Sequence, residues 1–256
     1  MLDKKRDMVE ILELIILGAA VGTLSGFFGI GGGTILVPAL LLMGYDMKVA
    51  IGISVIQMVF ASVYGSYLNL KKGTLDVKMV LVIGVGGFIG ALLSPYIIET
   101  LSAKTLEWIF LGFVLFALSR MFMKPKESAN GQKVHPAILF IIGVVLGAFA
   151  ISIGVGGSIL LVPILVGFLH VPLKNAVSAG LFFVVFSSVS GLIGLSIAGN
   201  IDYESGAVIG LASLIGVASG IWLKHRAKNQ HHKMALMTFY IVVTLYFIYR
   251  LVGQNG

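Results

Sequence analysis

The chain has 256 residues, 58% of them hydrophobic and only 11% charged, with no cysteine and a formal net charge of +7 at pH 7. A water-soluble domain carries about a quarter charged residues, so this composition excludes one. The missing cysteines leave no disulfide framework and no thiolate metal site. The positive charge is no nucleic-acid footprint either. Lys and Arg fall in short clusters between apolar runs (Lys71, Lys72, Lys78; Arg120, Lys124, Lys126, Lys133; Lys224, Arg226, Lys228, Lys233), where they meet anionic headgroups and set topology.

The N-terminal stretch "MLDKKRDMVEILELIILGAAVG" has the basic start and apolar run of a signal peptide. Its apolar run continues past any small-residue cleavage site, so it reads as a retained first helix. No Asp, Glu, Lys or Arg interrupts Leu14–Tyr45, Val49–Leu70, Met79–Ile98, Pro136–Val171, Ala176–Ile201, Ser205–Leu223 or Met234–Tyr249. A bilayer core of about 30 Å asks for roughly 17–25 apolar residues per helix. These runs predict an all-α polytopic membrane protein.

The elements come in two matching sets. A shift of 125 places Gly22 on Gly147, Gly29 on Gly154, Gly31 on Gly156, Gly32 on Gly157 and Pro38 on Pro163. A shift of 126 then places Lys48 on Lys174, Ser62 on Ser188, Gly73 on Gly199, Asp76 on Asp202 and Gly84 on Gly210. Such self-similarity marks two homologous repeats, 1–123 and 135–256, joined by the polar linker 124–134. Each holds four elements, near 14–44, 49–70, 78–98 and 105–123, then 136–169, 175–198, 205–223 and 234–250, about eight membrane elements in all. Where 14–44 crosses once the repeats are parallel; where it crosses twice they are inverted. The Lys and Arg distribution does not separate the two. Length favours one crossing, because Thr34–Gly44 makes only about 16 Å of helix.

The first element of each repeat is broken by a glycine motif, "GIGGGTILVP" at Gly29–Pro38 and "GVGGSILLVP" at Gly154–Pro163. Unpaired backbone survives at membrane depth only when packed in protein or lining a wet cavity. A short helix begins after each motif, and its first amides and dipole form an anion site that needs no cation. Gly31, Gly32, Gly33 and Thr34 in one repeat, with Gly156, Gly157 and Ser158 in the other, are the candidate substrate-binding residues. Close helix packing is the plainer use of membrane glycines. It suits Gly84, Gly87, Gly90, Gly210, Gly216 and Gly220, but not consecutive glycines.

Gln57, the one amide well inside a span, and Ser54 a turn before it join the candidate site. Gln57 either bonds a neighbouring helix or faces the substrate path. Ser62 and Ser188, at matching positions, line the path or bond back to their own helices. Lys48 and Lys174 draw anions into a vestibule, or simply snorkel. Asp76 and Asp202 read as N-caps. The five histidines lie at span ends without ligand partners, so no metal, cofactor or catalytic group is expected.

The motif at Gly29–Pro38, its copy at Gly154–Pro163, the repeats and the length resemble the sulfite exporter TauE/SafE family of bacterial membrane transporters, over nearly the whole chain. The resemblance implies an inner-membrane permease that moves small anions outward, typically sulfite or related sulfur-containing and organic anions. The second copy has Ser158 where the first has Gly33, so the two helix starts differ. Proton-coupled carriers relay through intramembrane carboxylates or histidines. Here Glu107, one turn into its helix, reads as interfacial, so any proton travels on the substrate, or the membrane potential drives export. The competing readings are a passive anion channel and a membrane-embedded enzyme; the latter lacks a base beside its scattered hydroxyls.

Overall fold

The computed structural model describes residues 2–75, 77–122, 135–199 and 201–253; the polar linker and the expected cap Asp76 lie outside them. Among the described residues there are eleven α-helices and no strand: α1 (Leu2–Phe28), α2 (Gly33–Leu42), α3 (Met47–Lys71), α4 (Val77–Ala91), α5 (Ser94–Thr100), α6 (Ala103–Phe122), α7 (Pro136–Ser152), α8 (Ser158–Gly167), α9 (Leu173–Ile197), α10 (Tyr203–Arg226) and α11 (Asn229–Gly253). Five helices (α1, α3, α9, α10 and α11) are long and apolar enough to cross a bilayer. The α4–α5 pair, bent by 43°, makes a sixth candidate. The bend was not expected; Pro95 sits in the first turn of α5, where its missing N–H costs nothing.

Helix ends follow local chemistry. Asp202 caps α10 as expected, accepting hydrogen bonds from the Glu204 and Ser205 amides at 3.1 Å each. After α3 and α9 the chain turns at Gly73 (φ 67°) and Gly199 (φ 73°), a conformation that side chains resist.

Glycines seam the helices together. On α1, Gly18, Gly22 and Gly26 lie against the carbonyls of Ile209, Ser213 and Val217, so α1 runs parallel to α10 with backbones in contact. On α7, Gly143 and Gly147 meet Ile83 and Gly87 of α4 in the same way. The glycines read as packing residues do pack. Gly84 and Gly210 seat the rings of Phe186 and Phe60, Gly87 that of Phe183, and Gly90, Gly216 and Gly220 meet the carbonyls of Val144, Ala19 and Thr23. Each half thus places its first helix against a helix of the other.

These contacts fix helix directions. Ile56, Phe60 and Gly65 of α3 meet Gly206, Gly210 and Val217 of α10, so α3 is parallel to α10 and hence to α1. α2 begins beside Met58, halfway along α3, and a four-residue turn joins its far end to the start of α3. It therefore runs back toward the end from which α1 came. The expectation that 14–44 crosses once in a single direction is corrected. The estimate of helix length was sound, but a short helix can fold back against its predecessor when the seam of α1, α3 and α10 covers it. Leu36 and Leu40 lie in one cluster with Leu14, Val21, Ile53 and Ile209. α3 and α9 run antiparallel: Met58 pairs with Val184, Gly65 with Leu181, and Thr74 with Ser178.

The outer surface is apolar. Ile141, Leu211, Ile215 and Leu245 all point outward, Ile215 with 78% exposure, as lipid contact requires. Arg226 lies 4.0 Å from the centre of the Trp222 ring and Lys71 4.5 Å from that of Tyr67. Both pairs lie at the C-terminal ends of α10 and α3, where an interfacial belt belongs.

Candidate functional site

The two glycine motifs fold into the same loop. Gly29, Gly31 and Gly32 have φ of 71°, 74° and 85°; Gly154, Gly156 and Gly157 have 72°, 76° and 83°. Six positions in the left-handed region explain why glycine is needed at each. They also explain the breaks, since α1 and α7 cannot continue through such dihedrals.

The loops meet. A side chain on Gly33 would strike the carbonyl of Gly154. Met58 Sδ and both Val184 methyls line the space between Gly31 and Gly156. Met58 is the twelfth of 25 residues in α3, and Val184 the twelfth of 25 in α9. The loops therefore sit beside the midpoints of α3 and α9. Every residue from Phe28 to Thr34 and from Ile151 to Leu160 is buried.

Each loop leaves a run of backbone amides unpaired. Ile35 and Leu36 donate to the Gly32 carbonyl, and Leu160 and Leu161 to that of Gly157. The amides of Gly31, Gly32, Gly33 and Thr34 donate to no backbone carbonyl, nor do those of Gly156, Gly157, Ser158 and Ile159. The carbonyls of the second loop are better served: Ser54 Oγ donates to Gly154 O at 3.0 Å, and Ser187 Oγ to Gly156 O at 3.0 Å. Ser54, expected to touch substrate, thus holds loop backbone.

Side chains at or near the loops are buried without a hydrogen-bond partner: Ser25 Oγ, Thr34 Oγ1, Ser158 Oγ, Ser188 Oγ and both amide atoms of Gln57. Gln57 presses on Gly32, where a side chain would clash with its carboxamide. A buried polar group left unpaired costs about 1–3 kcal/mol, so such a cluster calls for an explanation. Ser62 bonds weakly to its own helix at Val59 O, 3.4 Å away. Lys48 is exposed at the start of α3, while Lys174 is half-buried at the opposite end of the molecule and donates to His225 O at 3.3 Å.

Each short helix carries a proline, Pro38 in α2 and Pro163 in α8. Pro163 has no N–H for the Ile159 carbonyl four residues before it. The fully buried Tyr240 hydroxyl supplies the missing donor at 2.8 Å. Glu107 is 3% exposed and accepts a hydrogen bond from Arg250 Nε at 3.0 Å. Two hollows on the outer face, about 550 Å³ beside Phe60 and Tyr67 and about 380 Å³ beside Phe88 and Phe186, are lined by apolar surface and suit acyl chains better than ions.

A helical membrane protein in which two short helices start from glycine loops that meet beside the midpoints of α3 and α9 has the anatomy of a transporter. The family model for the sulfite exporter TauE/SafE matches residues 14–247, and the chain belongs to that family. It is 23% identical to the probable membrane transporter protein YunE of Bacillus subtilis, over 94% of this chain and 98% of that protein. It is 26% identical to YdhB of the same organism, over 90% and 93%, and 26% identical to MJ0441 of Methanocaldococcus jannaschii, over 92% and 94%. Both are also named probable membrane transporter proteins. No solved structure matches the chain.

Proposed function

We propose that the protein is an inner-membrane exporter of small anions, with sulfite or a related sulfur-containing or organic anion as substrate. The ion sits between the two glycine loops, held by the amides of Gly31–Thr34 and Gly156–Ile159, with the Gln57 carboxamide and the Thr34 and Ser158 hydroxyls closing around it. The observation that carries this reading is the set of eight unpaired amides beside partnerless buried side chains, with no carboxylate among the described residues around them. An anion is the complement to such a run of amides at two helix starts.

The two halves act as inverted repeats. Matched contacts support this: Gly84 seats Phe186 while Gly210 seats Phe60, and Gly90 meets the carbonyl of Val144 while Gly216 meets that of Ala19. The shift that relates the glycines also relates their partners. Met58 and Val184 close the centre, so the ion is released when the halves rock and these side chains part. Glu107 is held by Arg250, so a proton moves with the ion, as in bisulfite, or not at all.

The test is flux in proteoliposomes loaded in turn with sulfite, thiosulfate, sulfate, sulfoacetate and simple carboxylates. Saturable flux of at least one anion, abolished in a folded Gly32→Leu variant, is the expected result. Normal flux in Gly32→Leu overturns the site. Flux that rises without saturation marks a channel.

A further inference from the structure

Lys224, in the last turn of α10, is fully buried. Its ammonium donates to Asn69 Oδ1 of α3 at 2.6 Å and to Ser178 Oγ of α9 at 3.0 Å, both neutral acceptors. A lysine has three donors, and these partners use two. Because Asn69 turns its oxygen to the lysine, its own Nδ2 is left buried without a partner. Ser178 Oγ donates to Lys174 O at 2.9 Å and has a further contact with Thr74 Oγ1, also 2.9 Å away. Lys174 brings a second ammonium into the same cluster, anchored on His225 O at 3.3 Å. Among the described residues no carboxylate lies within salt-bridge distance of Lys224 or Lys174, and Glu107 serves Arg250. Leaving a buried charge unpaired costs several kcal/mol.

We infer that Lys224, Asn69, Ser178 and Lys174 form a second anion-binding station, nearer one membrane face, that takes the same class of small oxyanion as the central loops. This rests on the anion-transport reading of those loops and adds a place and a direction to it. The Lys224 ammonium and Asn69 Nδ2 are left with donors to spend, and a second ammonium, that of Lys174, lies in the same cluster, so an anion is the complement to both. Asn69 lies twelve residues from Gln57 on α3, about 18 Å along the helix. Ser62, Ser66 and Asn69 follow one another at four and three residues on a single face of α3, and Ser66 Oγ is also buried and unpartnered. Polar side chains thus mark α3 from mid-depth to the lysine.

The station exists at one end only. The shift of 126 carries Lys224 onto Ile98, Asn69 onto Leu195 and Ser178 onto Gly52. Ile98 and Leu195 are buried in an apolar cluster. The matching end therefore offers hydrocarbon where this end offers an ammonium and an amide, and an anion arriving from the two sides meets unlike surroundings.

The experiment compares full-length wild type with Lys224→Met, Lys224→Arg and Asn69→Leu, the last copying the residue at the related position. Sulfite flux is followed in right-side-out and inside-out membrane vesicles. Heat stability of the purified proteins is followed against sulfite, sulfate, thiosulfate and sulfoacetate. Lys224→Met and Asn69→Leu should raise the half-saturating sulfite concentration at least tenfold in one vesicle orientation, and less than twofold in the other. Lys224→Arg should stay within threefold of wild type. Without anion, Lys224→Met should be no less heat-stable than wild type, whereas a merely structural lysine would leave a weakened protein with unchanged sulfite affinity. Equal effects in both orientations, or none, overturn the station, as does a wild type that none of the four anions stabilises. Gly32→Leu separates the two ideas. If it transports normally while Lys224→Met loses affinity from one side, the central site falls and the station stands. If Gly32→Leu is inactive and Lys224→Met normal, the station falls alone.

Discussion

Gln57 concentrates the chemistry of the centre in one side chain. It is fully buried, both amide atoms lack partners, and it rests on the first glycine loop. Replacing it with leucine removes an unpaired polar group, so the ion-free protein should hold its melting temperature or gain about 1 kcal/mol, while anion affinity falls at least about tenfold, a loss of 1.4 kcal/mol. Isothermal titration and thermal unfolding read the two effects separately. Gln57→Glu makes the opposite case. Its carboxylate would lie against the loop amides in place of substrate, giving a more heat-stable protein that no longer transports. Tyr240 has a structural task. Tyr240→Phe strands the Ile159 carbonyl that Pro163 leaves free, and should cost about 1–3 kcal/mol in unfolding measurements. Glycine clusters announce the loops in the amino-acid sequence because their dihedrals admit little else. Lys224 gives no such signal: a lysine near a span end reads as snorkelling, and only the approach of Asn69 from a helix 155 residues away shows it to be buried.

The helix pairs behave as units. Met58 and Val184 close the space between the loops, and methionine is the more pliant of the two. Met58→Ala should therefore loosen the closed centre and give an anion leak in proteoliposomes, even without a substrate gradient that drives exchange. Unchanged leak rates would mean that closure lies elsewhere. At the α1–α10 seam the spacing is set by bare backbone, so Gly22→Leu should force the helices apart and deplete folded protein from the membrane. Leucine at Gly112, which has nothing within 4 Å of a built side chain, should be tolerated. Pattern and composition made the packing glycines legible here. They did not reveal that α2 doubles back. A ten-residue apolar helix has the same sequence whether it continues a crossing or reverses it, and its direction is decided by Leu14, Val21 and Ile209, which come from two other helices. The α4–α5 bend was hidden for a like reason, since the apolar run from Met79 to Ile98 is uninterrupted.

At the scale of the molecule, the antiparallel course of α3 and α9 places the positive charges unevenly. Lys71, Lys72, Lys174, Lys224, Arg226, Lys228 and Lys233 gather at the end where α3 and α10 finish. Positively charged loops stay in the cytoplasm. That end should therefore face inward and the N-terminus outward. A tag before Met1 should be accessible from outside intact cells, and a tag in the segment 124–134 only after permeabilisation; the reverse pattern would turn the molecule over. With this orientation the Lys224 station faces the compartment from which an exporter loads. The two glycine loops could be read from the sequence. The antiparallel course of α3 and α9 could not, because eight apolar elements fit either arrangement and charge counting left the choice open.

The exchange of partners between halves also bears on how the chain is made. α1 leaves the ribosome well before α10, the helix that covers Gly18, Gly22 and Gly26 and ends at Arg226. Through most of synthesis these glycines face lipid or an insertion chaperone, with no native neighbour to receive them. Residues 1–123 expressed alone should be degraded, and co-expression of 135–256 as a separate chain should rescue them, as pulse-chase labelling would reveal.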